Sequence, residues 1–188
     1  MEIIIDAKTE YPAVCNAMET LLIHEQIAEN EIKQLLTNLL EAGVEIRACS
    51  AIMKKFSNKL NGIIHASEQD WKTEYTDLIL SVRLVSSHEE AIGHINHYGS
   101  GHTDAIITED RSIAEKFMDQ VDAANVFWNA STRFADGFRY GFGAEVGVST
   151  CKTHARGPVG LDGLIIHKYL SLIHIWRCRR IERCRSRW

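Results

Sequence analysis

Cys15, in the stretch YPAVCNAMET, stands three residues after Pro12 at the head of a polar and then apolar run. A cysteine thiolate is a strong nucleophile, and the start of a helix favours it because the peptide dipoles present positive charge there. Pro12 supplies a turn or first-turn residue and AVCNAMET continues with acceptable helix formers, so the spacing predicts Cys15 where a chain turn meets a helix. The competing reading is a packing residue, since free cysteine is among the most buried residue types. Arg133, in NASTRF, sits in a polar loop after an apolar strand. A guanidinium there can hold a carboxylate or phosphate through two parallel N–H donors, with Ser131 and Thr132 as hydroxyl partners. A structural ion pair would use the same arginine differently. Arg156, in HARGPVG, suits an anion site, a turn set by Gly157 and Pro158, or a subunit contact. Glu74, in TEYTDL, is either a site carboxylate or a solvated strand end.

Other residue types point away from chemistry. His94, His97 and His102 lie on one helix face running into a loop, a pattern of polar surface rather than of a metal site, and no metal is predicted. The glycines of GSG at 99–101 and GFGAEVG at 141–147 do not follow a strand and open a helix at dinucleotide-binding spacing, so they read as turns. Five cysteines at 15, 49, 151, 178 and 184, with no CxxC pair, read as free thiols of a reducing compartment.

The elements that must position these residues alternate in type. TLLIH reads as a strand, and AENEIKQLLTNLLEAG as a helix whose apolar stripe at 32, 35, 36, 39 and 40 ends at Gly43. VEIRACSA is a second strand, AIMKKF has helical character, GIIHAS is a short apolar run, and DLILSVRLVS is the longest strand candidate. SHEEAIGHINHYG is a serine-capped helix, DAIITED a strand, DRSIAEKFMDQVDAA a helix and NVFWNAS a strand. This alternation predicts an α/β fold with a largely parallel sheet and helices packed on its faces. From residue 129 the texture turns glycine-rich and aromatic with little periodicity, as in a site-forming loop.

The bulk numbers agree with one main domain. The chain has 188 residues, 45% hydrophobic and 24% charged, and no apolar run approaches the length that crosses a bilayer. Its start, MEIIIDAKTEYP, has no basic region or long apolar stretch of a secretory leader, which predicts a cytoplasmic protein. Net charge is −4, and the last twelve residues hold six arginines against one glutamate. The body is therefore acidic and carries no nucleic-acid footprint.

Taken together, YPAVCNAMETLLIHE, EYTDLILSVRLV, EEAIGHINHYGSGHTDAIITED, VFWNASTRFADGFRYGFGAEVGVST and HARGPVGLDGL resemble, in order, the C-terminal half of the gamma-glutamyl phosphate reductase family, in the aldehyde dehydrogenase superfamily. The resemblance implies an aldehyde dehydrogenase-like catalytic domain in which Cys15 of the P-x-x-C-N-A motif is the nucleophile. It implies thiolate attack on L-glutamyl 5-phosphate, loss of phosphate to give a thioester, and reduction with NADPH to L-glutamate 5-semialdehyde in proline biosynthesis. Asn16 and the Cys15 backbone N–H are then candidates for stabilising the oxyanion. Ser131, Thr132, Arg133 and Arg156 become substrate-binding candidates, and Glu74 stands where the superfamily binds the nicotinamide ribose of NADP. There Tyr75 to Asp77 replace the usual Phe-Gly-Pro wording. The parent enzyme is expected to be a homo-oligomer acting on a small molecule, with no membrane association.

The resemblance runs from about residue 3 to residue 170, and residues 1–170 read as a catalytic-domain fragment that lacks most of the cofactor domain and is expected to be inactive alone. Residues 171–188 read as a non-native basic tail, because LSLIHI followed by WRCRR resembles a translated sequencing-library adapter. Three alternatives stand beside these readings: the reductase part of a bifunctional pyrroline-5-carboxylate synthase, a non-catalytic interaction module whose tail binds nucleic acid, and a metal site from His174, Cys178 and Cys184.

Overall fold

A computed structural model describes residues 1–171; the basic tail from residue 172, with Cys178 and Cys184, lies outside the described residues. Four parallel strands form the main sheet in the order β1-β4-β2-β3: β1 (Thr20–His24), β2 (Glu45–Ala48), β3 (Ile63–His65) and β4 (Ile79–Val85). Thr20 of β1 pairs with Ser81 of β4, and Ile46 of β2 with Leu80, so β4 lies inside the sheet. A strand inside a parallel sheet is covered on both faces, and Leu80, Ser81 and Val82 are fully buried.

The crossover helices follow from their stripes. In α2 (Glu29–Glu41) the residues Ile32, Leu35, Leu36 and Leu39 are buried, at three- and four-residue spacing. The helix stops at Gly43, whose φ of +83° is a left-handed conformation open to glycine. Helix α3 (Ser50–Phe56) adds Ile52 and Phe56 to the same core. Helix α4 (His88–Tyr98) starts where the Ser87 hydroxyl accepts from Glu90 N–H at 3.1 Å.

A second parallel pair joins β5 (Thr103–Ile106) to β6 (Asn125–Trp128), linked by α5 (Arg111–Gln120) and packed on Ile92, Phe117 and Val121. Residues 129–146 then run as loops and turns to an antiparallel hairpin of β7 (Gly147–Ser149) and β8 (Gly157–Val159). No helix among the described residues is long and apolar enough to cross a membrane.

One local expectation is overturned. The chain has a helix before Cys15, α1 (Glu2–Thr9), and none after it; residues 12–17 form successive turns. Pro12 disfavours helix at Tyr11, so α1 stops. Val14 N–H then closes on Tyr11 C=O at 3.4 Å, and Met18 N–H returns to Ala7 C=O at 2.8 Å, which leads the chain straight into β1.

Candidate active site

Cys15 projects from these turns, exposed, into a cavity of about 1110 Å³ that is also lined by Glu74, Thr103, Ser131 and Thr132. Because Cys15 follows α1 rather than opening a helix, it does not stand at the helix start that the sequence predicts. Its thiol is pushed up instead, first by burial and then by the Glu145 and Glu74 carboxylates, against its own backbone N–H and Arg133.

A side chain outside the predicted set meets the sulfur. His102 Nε2 lies 3.1 Å from Cys15 Sγ, although 87 positions separate them. His102 is buried, not surface as its sequence pattern predicts, and burial holds its pKa down while Glu74 acts the other way. His94 is likewise buried, packed between the rings of Trp71 and Tyr98, and desolvation lowers it to about 4. Tertiary packing defeats the surface reading in both cases: the stretch that ends α4 and opens β5 turns inward against the site wall. Among the described residues no group of three or more His, Cys, Asp or Glu side chains is placed to hold a metal.

Glu74 sits exposed on a loop braced from both sides. Tyr75 donates to Asp70 Oδ1 at 2.7 Å and its oxygen lies 2.8 Å from buried Ser81 Oγ. Thr76, at φ +53°, gives its N–H to Glu19 at 3.3 Å, and Glu19 is held by the fully buried Lys8 at 2.7 Å. The backbone next to Glu74 is therefore braced, while its carboxylate stays exposed.

The other predicted residues divide. Asn16 and Arg133 come together: the Arg133 guanidinium donates to Asn16 Oδ1 and to Glu10 at 3.2 Å, while Asn16 Nδ2 donates to Ala135 C=O at 2.9 Å. Ser131 accepts from Arg133 N–H at 3.2 Å. Thr132 Oγ1 is buried without a hydrogen-bond partner among the described residues, the mark of a group that awaits one. Arg156 is not brought to this cavity; it pairs with Asp122 at 3.0 Å, beside Lys152.

Sequence reasoning missed His102 and Glu145. Glu145 reaches the site because it accepts Gly137 N–H at 2.9 Å, and a Cβ on Gly137 would lie 2.8 Å from Gly143 C=O. Only glycine permits that approach. The one signal available for His102 was its place directly after a glycine turn and before a strand, where loop residues gather at sheet edges.

This fold matches known proteins. Residues 64–146 match the model of the aldehyde dehydrogenase family, and the fold is aldehyde dehydrogenase-like. The particular relatives are gamma-glutamyl phosphate reductases: that of Pelotomaculum thermopropionicum is 57% identical over 90% of this chain and 38% of its own length. The reductase of Haloquadratum walsbyi is 58% identical over 87% of this chain and 37% of its own. The solved gamma-glutamyl phosphate reductase of Thermotoga maritima superposes with a TM-score of 0.84 at 45% identity, covering 94% of this chain and 42% of that one. The chain thus spans about two-fifths of the length of these relatives.

Proposed function

We propose that this chain carries the acyl-transfer centre of an NADP-dependent gamma-glutamyl phosphate reductase, which converts L-glutamyl 5-phosphate to L-glutamate 5-semialdehyde through a thioester on Cys15. The observation that carries the reading is the exposed Cys15 at the wall of a cavity also lined by Glu74 and by Thr132, whose buried hydroxyl has no partner among the described residues.

Cys15 attacks the acyl carbon, the C–S bond forms as the C–O bond to phosphate breaks, and hydrogen phosphate leaves. Thr132 Oγ1 is free to donate to the substrate and Ser131 lines the same wall. Arg133 acts through its grip on Asn16, which keeps the turn carrying Cys15 against the loop after β6. The backbone N–H of Cys15 supports the developing oxyanion.

The residues present fit one end of a nicotinamide cofactor. Glu74 would accept hydrogen bonds from the nicotinamide ribose hydroxyls, and among the described residues no glycine-rich strand-to-helix turn lines the cavity to hold the diphosphate. When bound, the reduced nicotinamide supplies the hydride that takes the thioester to the aldehyde. The same reading places the whole protein in the cytoplasm as a homo-oligomer.

Incubating the chain with acetyl phosphate as a simple acyl phosphate, followed by peptide mass spectrometry, tests this. An acyl adduct on the Cys15 peptide that hydroxylamine removes is expected, with none in Cys15→Ala. A wild-type chain unlabelled at Cys15, or labelled equally at Cys49 and Cys151, would count against the reading.

A further inference from the structure

We propose that His102 is a further catalytic residue of this site, its Nε2 taking the thiol proton from Cys15 as the sulfur attacks and passing it to the departing phosphate oxygen. This rests on the acyl-phosphate reading above and adds the base that reading lacks.

The hydrogen-bond network accommodates the tautomer the step needs. Asn125 Nδ2 donates to the His102 carbonyl at 3.0 Å, and a carbonyl can only accept, so that end of the amide must be nitrogen. Its Oδ1 accordingly accepts from the Tyr140 hydroxyl at 2.9 Å. The same Nδ2 reaches Thr103 Oγ1 at 3.3 Å, so Thr103 oxygen is an acceptor toward Asn125. Thr103 Oγ1 also lies 2.7 Å from His102 Nδ1. Thr103 Oγ1 keeps a second lone pair that can take the Nδ1 proton, and in that tautomer the lone pair of Nε2 is aimed at sulfur. Tyr140, Asn125 and Thr103 are thus positioning residues acting through His102.

Atoms and charge balance without an added reactant. The S–H proton moves to Nε2, the new C–S bond replaces the C–O bond, and the leaving phosphate takes the proton from Nε2 and departs as hydrogen phosphate. Neutral imidazole is restored for the next acylation. Burial supports the assignment from both sides: it keeps His102 unprotonated and able to accept, and it keeps Cys15 a thiol that needs an acceptor. Glu74 faces both groups, and Glu145 and Arg133 also face the sulfur, so the pair titrates in a field with two carboxylates and one guanidinium.

The test follows the rate of Cys15 alkylation by iodoacetamide, resolved by peptide mass spectrometry, between about pH 5 and pH 10. Wild type is expected to show two inflections, an imidazole one below about pH 6.5 and a thiol one in the alkaline range. His102→Gln, which keeps a polar group but cannot titrate, should lose the lower inflection and react about tenfold or more slowly at pH 7. A folded His102→Gln protein matching wild type at every pH would overturn the proposal. If that variant does not fold, the wild-type profile decides alone, and a single thiol inflection overturns it. Because alkylation uses no acyl phosphate, a wild type that alkylates with two inflections but is never acylated would count against the proposed function, whereas a His102→Gln protein indistinguishable from wild type counts against His102 alone.

Discussion

Within strands β1 and β4 every buried position is apolar except Ser81, whereas around Cys15 the polar Asn16, His102, Asn125, Ser131 and Thr132 are buried beside only the small Ala17 and Ala135. The first region is held by area removed from water, which tolerates imprecision in any single contact. The second is held by donors that must each find an acceptor, so its geometry is fixed only when the whole set closes. A nucleophile needs the second kind of surroundings, and those surroundings need the first kind behind them. The Glu74 loop shows the dependence, since Tyr75 is anchored on Ser81 in the middle of the apolar sheet.

The contrast can be broken most strongly in the core. Leu36 is fully buried in α2, and Leu36→Ala should lower stability by about 2–5 kcal/mol in urea unfolding, as a cavity in a packed interior does. Cys15 alkylation in the still-folded protein should be nearly unchanged. A fall in reactivity as large as that from His102→Gln would show that the two regions are not separable.

Asp70 joins the regions, and its effect is smaller. Burial alone would raise its carboxyl, but hydrogen bonds from Ser67, Arg47 and Tyr75 prevail and hold it well below the usual carboxylate range. A lowered folded value stabilises fully above the unfolded pKa near ~4, and that contribution is lost as pH falls below it. Asp70→Asn should therefore cost about 1.5–3 kcal/mol at pH 7 and flatten the decline of stability under acid, followed by urea midpoints against pH.

Gly137→Ala sharpens the comparison from the other side. The new methyl would press on Gly143 C=O and on Glu145, costing about 1–3 kcal/mol. Its larger effect should be to move Glu145 away from the sulfur, which lowers the thiol pKa, so the alkaline inflection of Cys15 alkylation should shift to lower pH. Arg156→Ala should do least, less than about 1 kcal/mol with Cys15 reactivity unchanged, because its ion pair with Asp122 is solvent-exposed and away from the cavity. A change in acylation on that substitution would return Arg156 to the site.

Much of the fold was legible because it is repetitive. The stripe of α2, the serine cap of α4 and the apolar run of β4 each repeat a local rule over several residues. Helix α1 was missed because its eight residues carry no side-chain cap and a weak stripe, so only packing of Ile4 and Ile5 on the core selects it. At the site, Cys15, Ser131, Thr132 and Glu74 could be named from their motifs. Their environment could not: the turn at Cys15 replaces the expected helix start, and the thiol is raised rather than lowered.

The sequence by itself determined the alternation of strands and helices from β1 to β6, the nucleophile candidate and the family resemblance, because each is written in neighbouring residues. Only the tertiary structure decided that His102 meets Cys15, that Arg133 is engaged by Asn16 and Glu10, and that Glu145 turns its charge on the sulfur. These contacts join positions far apart in the chain, and loop closure leaves no periodic trace in the residues it brings together.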